Sequence, residues 1–219
     1  MQSHLEQSHY NMVEQQIRPW DVLDNKVLNT LERIPRDAFV PAQYTNLAYA
    51  DTAIPLNSTQ NMLHPIIEGR ILQLMDIQAE DNILEIGTGS GFLTACLAHL
   101  GCHVDSVEID QSLFQQAERI LAQQGVSNIK LSCADGLDMS GNRKKYNVIV
   151  LTGSVSDIAE EFKKALTPGG RLFAVCGTAP AMMAHVITRK DEKNWDDETI
   201  FETVVTPLTN GEAKAGFAF

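Results

Sequence analysis

The sequence predicts an α/β fold built on a doubly wound, mostly parallel, seven-stranded sheet of Rossmann-like architecture. Two observations support this prediction. From residue 81 onward, short aliphatic runs alternate with segments of helical periodicity, a pattern typical of βαβ units. The first of these runs leads into the glycine-rich segment ILEIGTGSG at 83–91, and a glycine-rich turn from strand to helix is typical of nucleotide-binding sheets.

The elements of this core follow in order along the chain. Strands are predicted over 82–86, 103–109, 128–132, 147–152 and 171–176. Helices are predicted over 90–100, 111–124 and 157–166. The last of these helices has Ser154 and Asp157 in the spacing of a capping box before it. Two further strand-like stretches, 183–189 and 200–206, predict a hairpin added to the edge of the sheet.

Residues 1–80 form a helical and turn-rich extension in this interpretation, and residues 81–219 form the core of the same single domain. Helices are predicted over 10–18, 24–34 and 65–75. The second of these helices opens at Asp24, and Pro65 suits a first helical position, where its missing N–H costs nothing.

Charge and composition exclude several classes of function. The chain has 17 basic and 28 acidic side chains, a net charge of −11, which repels phosphate backbones and predicts no binding to nucleic acid. No run approaches the ~18 apolar residues of a membrane helix, and the N-terminus MQSHLEQSH lacks the apolar segment of a signal peptide. We therefore expect a cytoplasmic protein without membrane contact. The four cysteines form no C-x-x-C pair, so neither a disulfide nor a metal site is predicted.

The glycine-rich segment admits several interpretations. A P-loop requires a lysine after its last glycine, and none is present. A dinucleotide fingerprint requires a glycine at position 92, which is Phe92. The remaining pattern has Glu85 before the glycines and Glu108 at the end of the next strand, where a carboxylate can accept both hydroxyls of a ribose. A tight turn without a ligand is the alternative.

This segment resembles the cofactor loop of class I S-adenosylmethionine-dependent methyltransferases. Two further pieces are similar to the pattern of that superfamily, Ala134-Asp135-Gly136 after the third core strand and LTPGGRLFAV at 166–175. The resemblance implies S-adenosylmethionine as cofactor and S-adenosylhomocysteine as product. The residues it places at the cofactor are Glu85, Gly87, Thr88, Gly89, Ser90, Gly91, Glu108, Ile109, Asp135, Gly136, Thr152 and Thr209.

The flanking segments are similar to one family, the protein-L-isoaspartate O-methyltransferases. MVEQQI at 12–17, PRDAFVP at 35–41 and YADTAIPL at 49–56 resemble its N-terminal region, and FETVVTPL at 201–208 resembles its closing strand. The resemblance implies methyl esterification of the α-carboxylate of L-isoaspartyl residues in damaged proteins. It also implies an isoaspartyl protein or peptide as partner, a monomeric enzyme, and an N-terminal extension that forms part of the methyl-acceptor site.

The chain departs from this family at the expected acceptor site. The family pattern G-Q-T-x-S-x-P corresponds to residues 59–65, where Asn61 replaces the threonine and Leu63 the serine. A leucine cannot donate a hydrogen bond to a carboxylate. The acceptor-site candidates are therefore Gln60, Asn61, Leu63 and His64.

Three of these candidates also have a structural interpretation. Leu63 can belong to the core, Asn61 to a turn, and His64 to a helix cap. At the level of the whole chain, the alternatives are a related methyltransferase with a different protein or small-molecule acceptor, and a cofactor-binding module without turnover.

Overall fold

A seven-stranded sheet runs through the centre of the computed structural model, which describes residues 2–212. The strands are β1 (Asn82–Ile86), β2 (His103–Glu108), β3 (Ile129–Cys133), β4 (Tyr146–Val155), β5 (Leu166–Thr178), β6 (Ala181–Arg189) and β7 (Trp195–Glu202). Their order is β3-β2-β1-β4-β5-β6-β7. The first five are parallel, and β6 and β7 add an antiparallel hairpin at one edge. The predicted fold class and edge hairpin are confirmed.

The order of strands creates a crevice between β1 and β4. From β1 the chain proceeds to β2 and β3 on one side, and it then returns to β4 and β5 on the other. The loops that follow β1 and β4 therefore leave the sheet in opposite directions at their carboxyl ends. Ligands of doubly wound sheets bind at such a switch point.

Six α-helices surround the sheet within residues 2–212. They are α1 (Gln2–Asn11), α2 (Asn25–Arg33), α3 (Pro65–Met75), α4 (Phe92–Leu100), α5 (Gln111–Gln123) and α6 (Glu160–Ala165). α2 begins one residue after the predicted Asp24, whose side chain caps it by accepting the Lys26 N–H at 2.7 Å. α3 begins at Pro65, as predicted. None of these helices is long and apolar enough to cross a membrane.

Several predicted elements have different bounds in the structure. The helix predicted over 10–18 is a π-helical segment, Met12–Ile17, that continues from α1. The capping box before α6 is wrong, because Ser154 lies within β4 and donates its hydroxyl to the Val205 carbonyl at 3.2 Å. β4 extends to Val155, and α6 begins only at Glu160.

The strand predicted over 200–206 is wrong in its second half. β7 ends at Glu202, and the chain then crosses back over the carboxyl end of β4. There the Ser154 N–H donates to the Thr206 carbonyl at 3.1 Å, and the Leu208 N–H donates to the Ser154 carbonyl at 3.0 Å. We call residues 203–209 the closing segment. It brings C-terminal residues to the crevice.

The N-terminal extension shares a hydrophobic core with the sheet. Alternate residues of β4 face opposite sides, so Val148 packs into one buried cluster and Ile149 into the other. The first cluster also contains Met12, Leu31 and Ile71 of the extension. The extension is thus packed directly against the sheet, and its loops are held next to the crevice.

Candidate functional site

A cleft lies at the carboxyl ends of β1, β2 and β4, at the switch point of the sheet. Its floor is formed by the turn after β1, by the end of β2 and by residues 135–137. Residues 53–64 of the extension and residues 204–209 of the closing segment form its walls. Segments from the whole length of the chain therefore meet at this one place.

Glycines allow the turn after β1 to adopt its conformation. Gly87 has φ +96° and Gly89 has φ +55°, both in the region that disfavours side chains. A Cβ atom at Gly87 would also collide with Thr152 and would lie 3.0 Å from the Leu208 side chain. The Thr152 hydroxyl donates to the Gly87 carbonyl at 2.7 Å, which ties the turn to β4.

Glu108 is the anionic group at the floor of the cleft. Its side chain is almost completely buried, and its two oxygens accept the Gly89 N–H at 2.8 Å and the Asp110 N–H at 2.9 Å. A carboxylate has about four lone-pair positions, so each oxygen can accept one further hydrogen bond. The arrangement suits a vicinal diol that donates two hydrogen bonds.

Beside Glu108, polar and apolar groups form a second part of the floor. Asp135 accepts the Leu137 N–H at 2.9 Å through Oδ1 and the Asn210 amide at 2.9 Å through Oδ2. Gly136 packs so closely that an added Cβ would lie 2.7 Å from the Ile86 side chain. Ile109, which is 37% exposed, also lines this part of the cleft. A flat ring with polar edges suits this mixture of groups.

Four of the predicted cofactor residues do not line the cleft. They are Glu85, Thr88, Ser90 and Gly91. Thr88 and Ser90 border a small adjoining cavity, which shares Gly87, Gly89 and Thr152 with the cleft. At Gly91 (φ +86°) an added Cβ would lie 3.1 Å from Leu121 of α5, so this glycine serves helix packing.

Glu85 lies beneath the glycine turn, fully buried. It accepts the hydroxyls of Thr94 at 2.5 Å and Ser106 at 2.6 Å, and the Ser106 hydroxyl also lies 2.6 Å from that of Thr88. Burial raises the pKa of Glu85 to about 7, although the two hydroxyl donors favour the ionised form. This network supports the turn from below.

All four acceptor-site candidates line the opposite wall of the cleft, namely Gln60, Asn61, Leu63 and His64. The Asn61 amide donates to the Thr206 hydroxyl oxygen at 3.0 Å, and the Gln60 amide donates to the Pro207 carbonyl at 3.4 Å. Both amides thus connect the extension to the closing segment. His64 precedes α3 but makes no side-chain capping hydrogen bond.

A buried ion pair holds this wall of the cleft in position. Arg36 is completely buried and pairs with Glu68 at 3.0 Å. The same guanidinium donates to the carbonyls of Ala48 at 2.9 Å and Leu63 at 2.7 Å. Burial raises the pKa of Glu68 to about 6, against the opposing effect of Arg36. The Leu63 side chain is half-buried against the first core cluster, so it has a packing role as well as a place in the wall.

Sequence reasoning missed the part of the wall that comes from the closing segment. Thr206 and Val205 line the cleft, as do Leu56 and Ala53 of the extension. The segments FETVVTPL and YADTAIPL contain these residues and were singled out by resemblance. That signal identified the segments but not which of their side chains face the cleft.

Comparison with known proteins gives one consistent family. The model of the family Protein-L-isoaspartate(D-aspartate) O-methyltransferase (PCMT) matches residues 7–213. The protein-L-isoaspartate O-methyltransferase of Aliivibrio salmonicida is 32% identical over 205 residues, which cover 94% of this chain and 98% of that protein. The protein of the same name from Photobacterium profundum is 35% identical over 191 residues, covering 87% and 90%.

Solved structures agree at the level of the fold. A Plasmodium falciparum protein named as a protein-L-isoaspartate O-methyltransferase, in complex with S-adenosyl-L-homocysteine, superposes with a TM-score of 0.80 at 17% identity. The match covers 92% of this chain and 98% of that chain. A second structure of that name has a TM-score of 0.76 at 20% identity, covering 94% and 66%.

Proposed function

The chain belongs to the protein-L-isoaspartate(D-aspartate) O-methyltransferase family, and on that premise we propose that it transfers a methyl group from S-adenosylmethionine to the α-carboxylate of L-isoaspartyl residues. One observation carries the proposal. The family match extends over residues 7–213 and therefore includes both the glycine turn and the two segments that form the acceptor wall.

The cleft fits S-adenosylmethionine by the chemistry of its donors and acceptors. Glu108 has free lone pairs for the ribose hydroxyls, and Asp135 with Gly136 borders the part suited to the adenine ring. Gly87 and Gly89 allow close approach of the ligand to the backbone. We assign the remaining contacts at the cleft to Ile109, Thr152 and Thr209.

The other predicted cofactor residues have supporting roles in this proposal. Glu85, Thr88, Ser90 and Gly91 hold the glycine turn in place without lining the cleft. A bound S-adenosylmethionine supplies the electrophilic methyl group.

Methyl transfer to a carboxylate requires that the carboxylate be correctly oriented, and it requires no proton transfer. A carboxyl group with an ordinary pKa of about 4 is ionised at neutral pH, so it needs no general base. The protein contributes by aligning the carboxylate oxygen with the sulfonium methyl and by excluding water. Met62, Leu56 and Leu63 give the wall an apolar surface that keeps water out.

Hydrogen-bond donors for the carboxylate remain in this wall in spite of Leu63. The Thr206 oxygen accepts from Asn61, so its own hydroxyl hydrogen is free to donate. An amide nitrogen carries two hydrogens, and Asn61 uses one of them for Thr206. We propose that this pair orients the acceptor where the family pattern has threonine and serine.

We propose in addition that the chain works as a cytoplasmic monomer on protein or peptide substrates and not on nucleic acid. The net charge of −11 supports the exclusion of nucleic acid.

The decisive experiment measures release of S-adenosylhomocysteine with an isoaspartyl peptide and with its normal aspartyl counterpart. We expect release with the isoaspartyl peptide and little with the aspartyl one. Cofactor binding without release on the isoaspartyl peptide would contradict the proposal. Leu63 favours a second candidate in that case, a methyltransferase with another acceptor, and release on other carboxylates would then identify it.

A further inference from the structure

The charge balance of the cleft points to one unusual residue. Of the described side chains that line it, three are titratable, namely His64, Glu108 and Asp135. Only His64 can carry a positive charge. The proposed acceptor is an anion, and the chain as a whole has a net charge of −11. The net charge of the protein therefore opposes binding of the anionic acceptor. A single cation in the cleft would strengthen that binding locally.

His64 is also available to a ligand. The neighbouring amides of Gln60 and Asn61 each donate a hydrogen bond to the closing segment. The His64 ring, in contrast, makes no hydrogen bond within residues 2–212, and its side chain is 40% exposed. Its nearest charged neighbour is Asp51, whose Oδ1 lies 3.6 Å from His64 Nδ1.

The charged groups near His64 come from two elements. Asp51 of the extension is its acidic neighbour, and α3 begins at the next residue. Glu68, one turn into α3, pairs with Arg36 at 3.0 Å. The closing segment on the facing side, TVVTPLT at 203–209, contains no titratable side chain.

We infer that protonated His64 is a specificity-determining residue that binds the acceptor carboxylate and makes the enzyme select anionic acceptors. This inference rests on the proposed function. Histidine side chains change charge between about pH 5 and 8, while a carboxylate stays ionised throughout that range. Acceptor affinity should therefore fall as the pH rises from 6 to 8.

The test measures the Kd of an isoaspartyl peptide for the protein saturated with S-adenosylhomocysteine, at pH 6 and at pH 8, by calorimetry. Binding does not depend on turnover, so this readout is separate from the methyl-transfer assay. For the native chain we expect about tenfold weaker binding at pH 8, the effect of one charge-assisted hydrogen bond of about 1.4 kcal/mol. His64→Gln should bind about tenfold more weakly than the native chain at pH 6 and with nearly the native affinity at pH 8.

His103→Gln is the matched control. His103 is likewise 40% exposed and lies 3.6 Å from an aspartate, Asp105, but it does not line the cleft. This variant should keep the native pH dependence. His64→Asn is a second variant in case glutamine disturbs the start of α3, because asparagine is a favourable N-cap residue.

Two results would overturn the inference. One is a pH dependence of peptide binding that is the same in His64→Gln and His64→Asn as in the native chain. The other is native binding that does not change between pH 6 and pH 8. Peptide binding of the expected pH dependence without release of S-adenosylhomocysteine would instead contradict the proposed methyl transfer and leave the role of His64 supported.

Discussion

Replacing Glu108 by glutamine tests the assignment of the cofactor site most directly. The substitution preserves size but changes the hydrogen-bonding pattern. Each oxygen of Glu108 accepts one backbone N–H, from Gly89 at 2.8 Å and from Asp110 at 2.9 Å. A glutamine has one oxygen and one amide NH₂ group, so in either orientation a donor faces one of these two N–H groups.

The magnitude follows from the hydrogen bonds that are lost. A hydrogen bond to a charged group contributes about 1.5–3 kcal/mol, and Glu108→Gln removes one acceptor for the backbone and one for the ribose. We expect S-adenosylmethionine to bind about 10- to 150-fold more weakly. Glu108→Ala removes both carboxylate oxygens and should weaken binding at least as much as Glu108→Gln.

Isothermal titration of S-adenosylmethionine into the native chain and both variants measures this effect. Glu118→Gln, on the exposed face of α5, is the control for a lost surface charge. Circular dichroism establishes that the variants are folded. A Kd for Glu108→Gln within twofold of the native value would remove Glu108 from the cofactor site.

Three further predictions concern the acceptor wall, the buried network and the charge of the chain. Leu63→Ser restores a hydroxyl where the family pattern has serine and should raise methyl transfer to an isoaspartyl peptide about tenfold; an unchanged rate would show that the wall serves another acceptor. The pKa of Glu85 is raised to about 7 from 4.5, so its contribution to stability is complete below pH 4.5 and is lost as the pH rises through 7. Glu85→Gln should therefore increase the free energy of unfolding at pH 8 by up to about 3 kcal/mol and leave it unchanged at pH 4.5, as measured by denaturant titration. Parallel pH profiles of the native chain and this variant would argue against a buried charge at this position. Finally, a filter-binding titration at physiological salt should detect no retention of duplex DNA or RNA, and micromolar retention would overturn the exclusion of nucleic acid.

Local sequence patterns were sufficient for the elements of the core. β1 and β2 follow from short β-branched or aliphatic runs, α3 from its start signal and α5 from its apolar periodicity. These features arise from contacts within a few residues, such as Pro65 at a first helical turn or Asp24 at an N-cap. Such contacts are encoded where they occur in the chain, so they can be read without the tertiary structure.

The position of the cleft could also be predicted from the sequence. Gly87 and Gly89 adopt conformations that favour glycine, and Glu108 ends the strand beside them. In a parallel sheet, neighbouring strands end at the same edge, so these residues had to meet. The sequence did not show which residues of the motif line the cleft. Glu85 and Gly91 belong to the same pattern, but they face α4 and α5.

The acceptor wall was decided by the tertiary structure. Asn61 meets Thr206 across 145 residues of chain, and Arg36 reaches the Leu63 carbonyl from a separate turn. A sequence contains Asn61 and Thr206 as two unrelated polar residues, since their contact requires β7 to end early and the closing segment to cross β4. Local propensity determines which residues form strands and helices, whereas contacts between distant segments depend on how those elements pack. For this protein the sequence by itself therefore determined the fold and the glycine turn, and only the tertiary structure decided which side chains form the proposed acceptor wall.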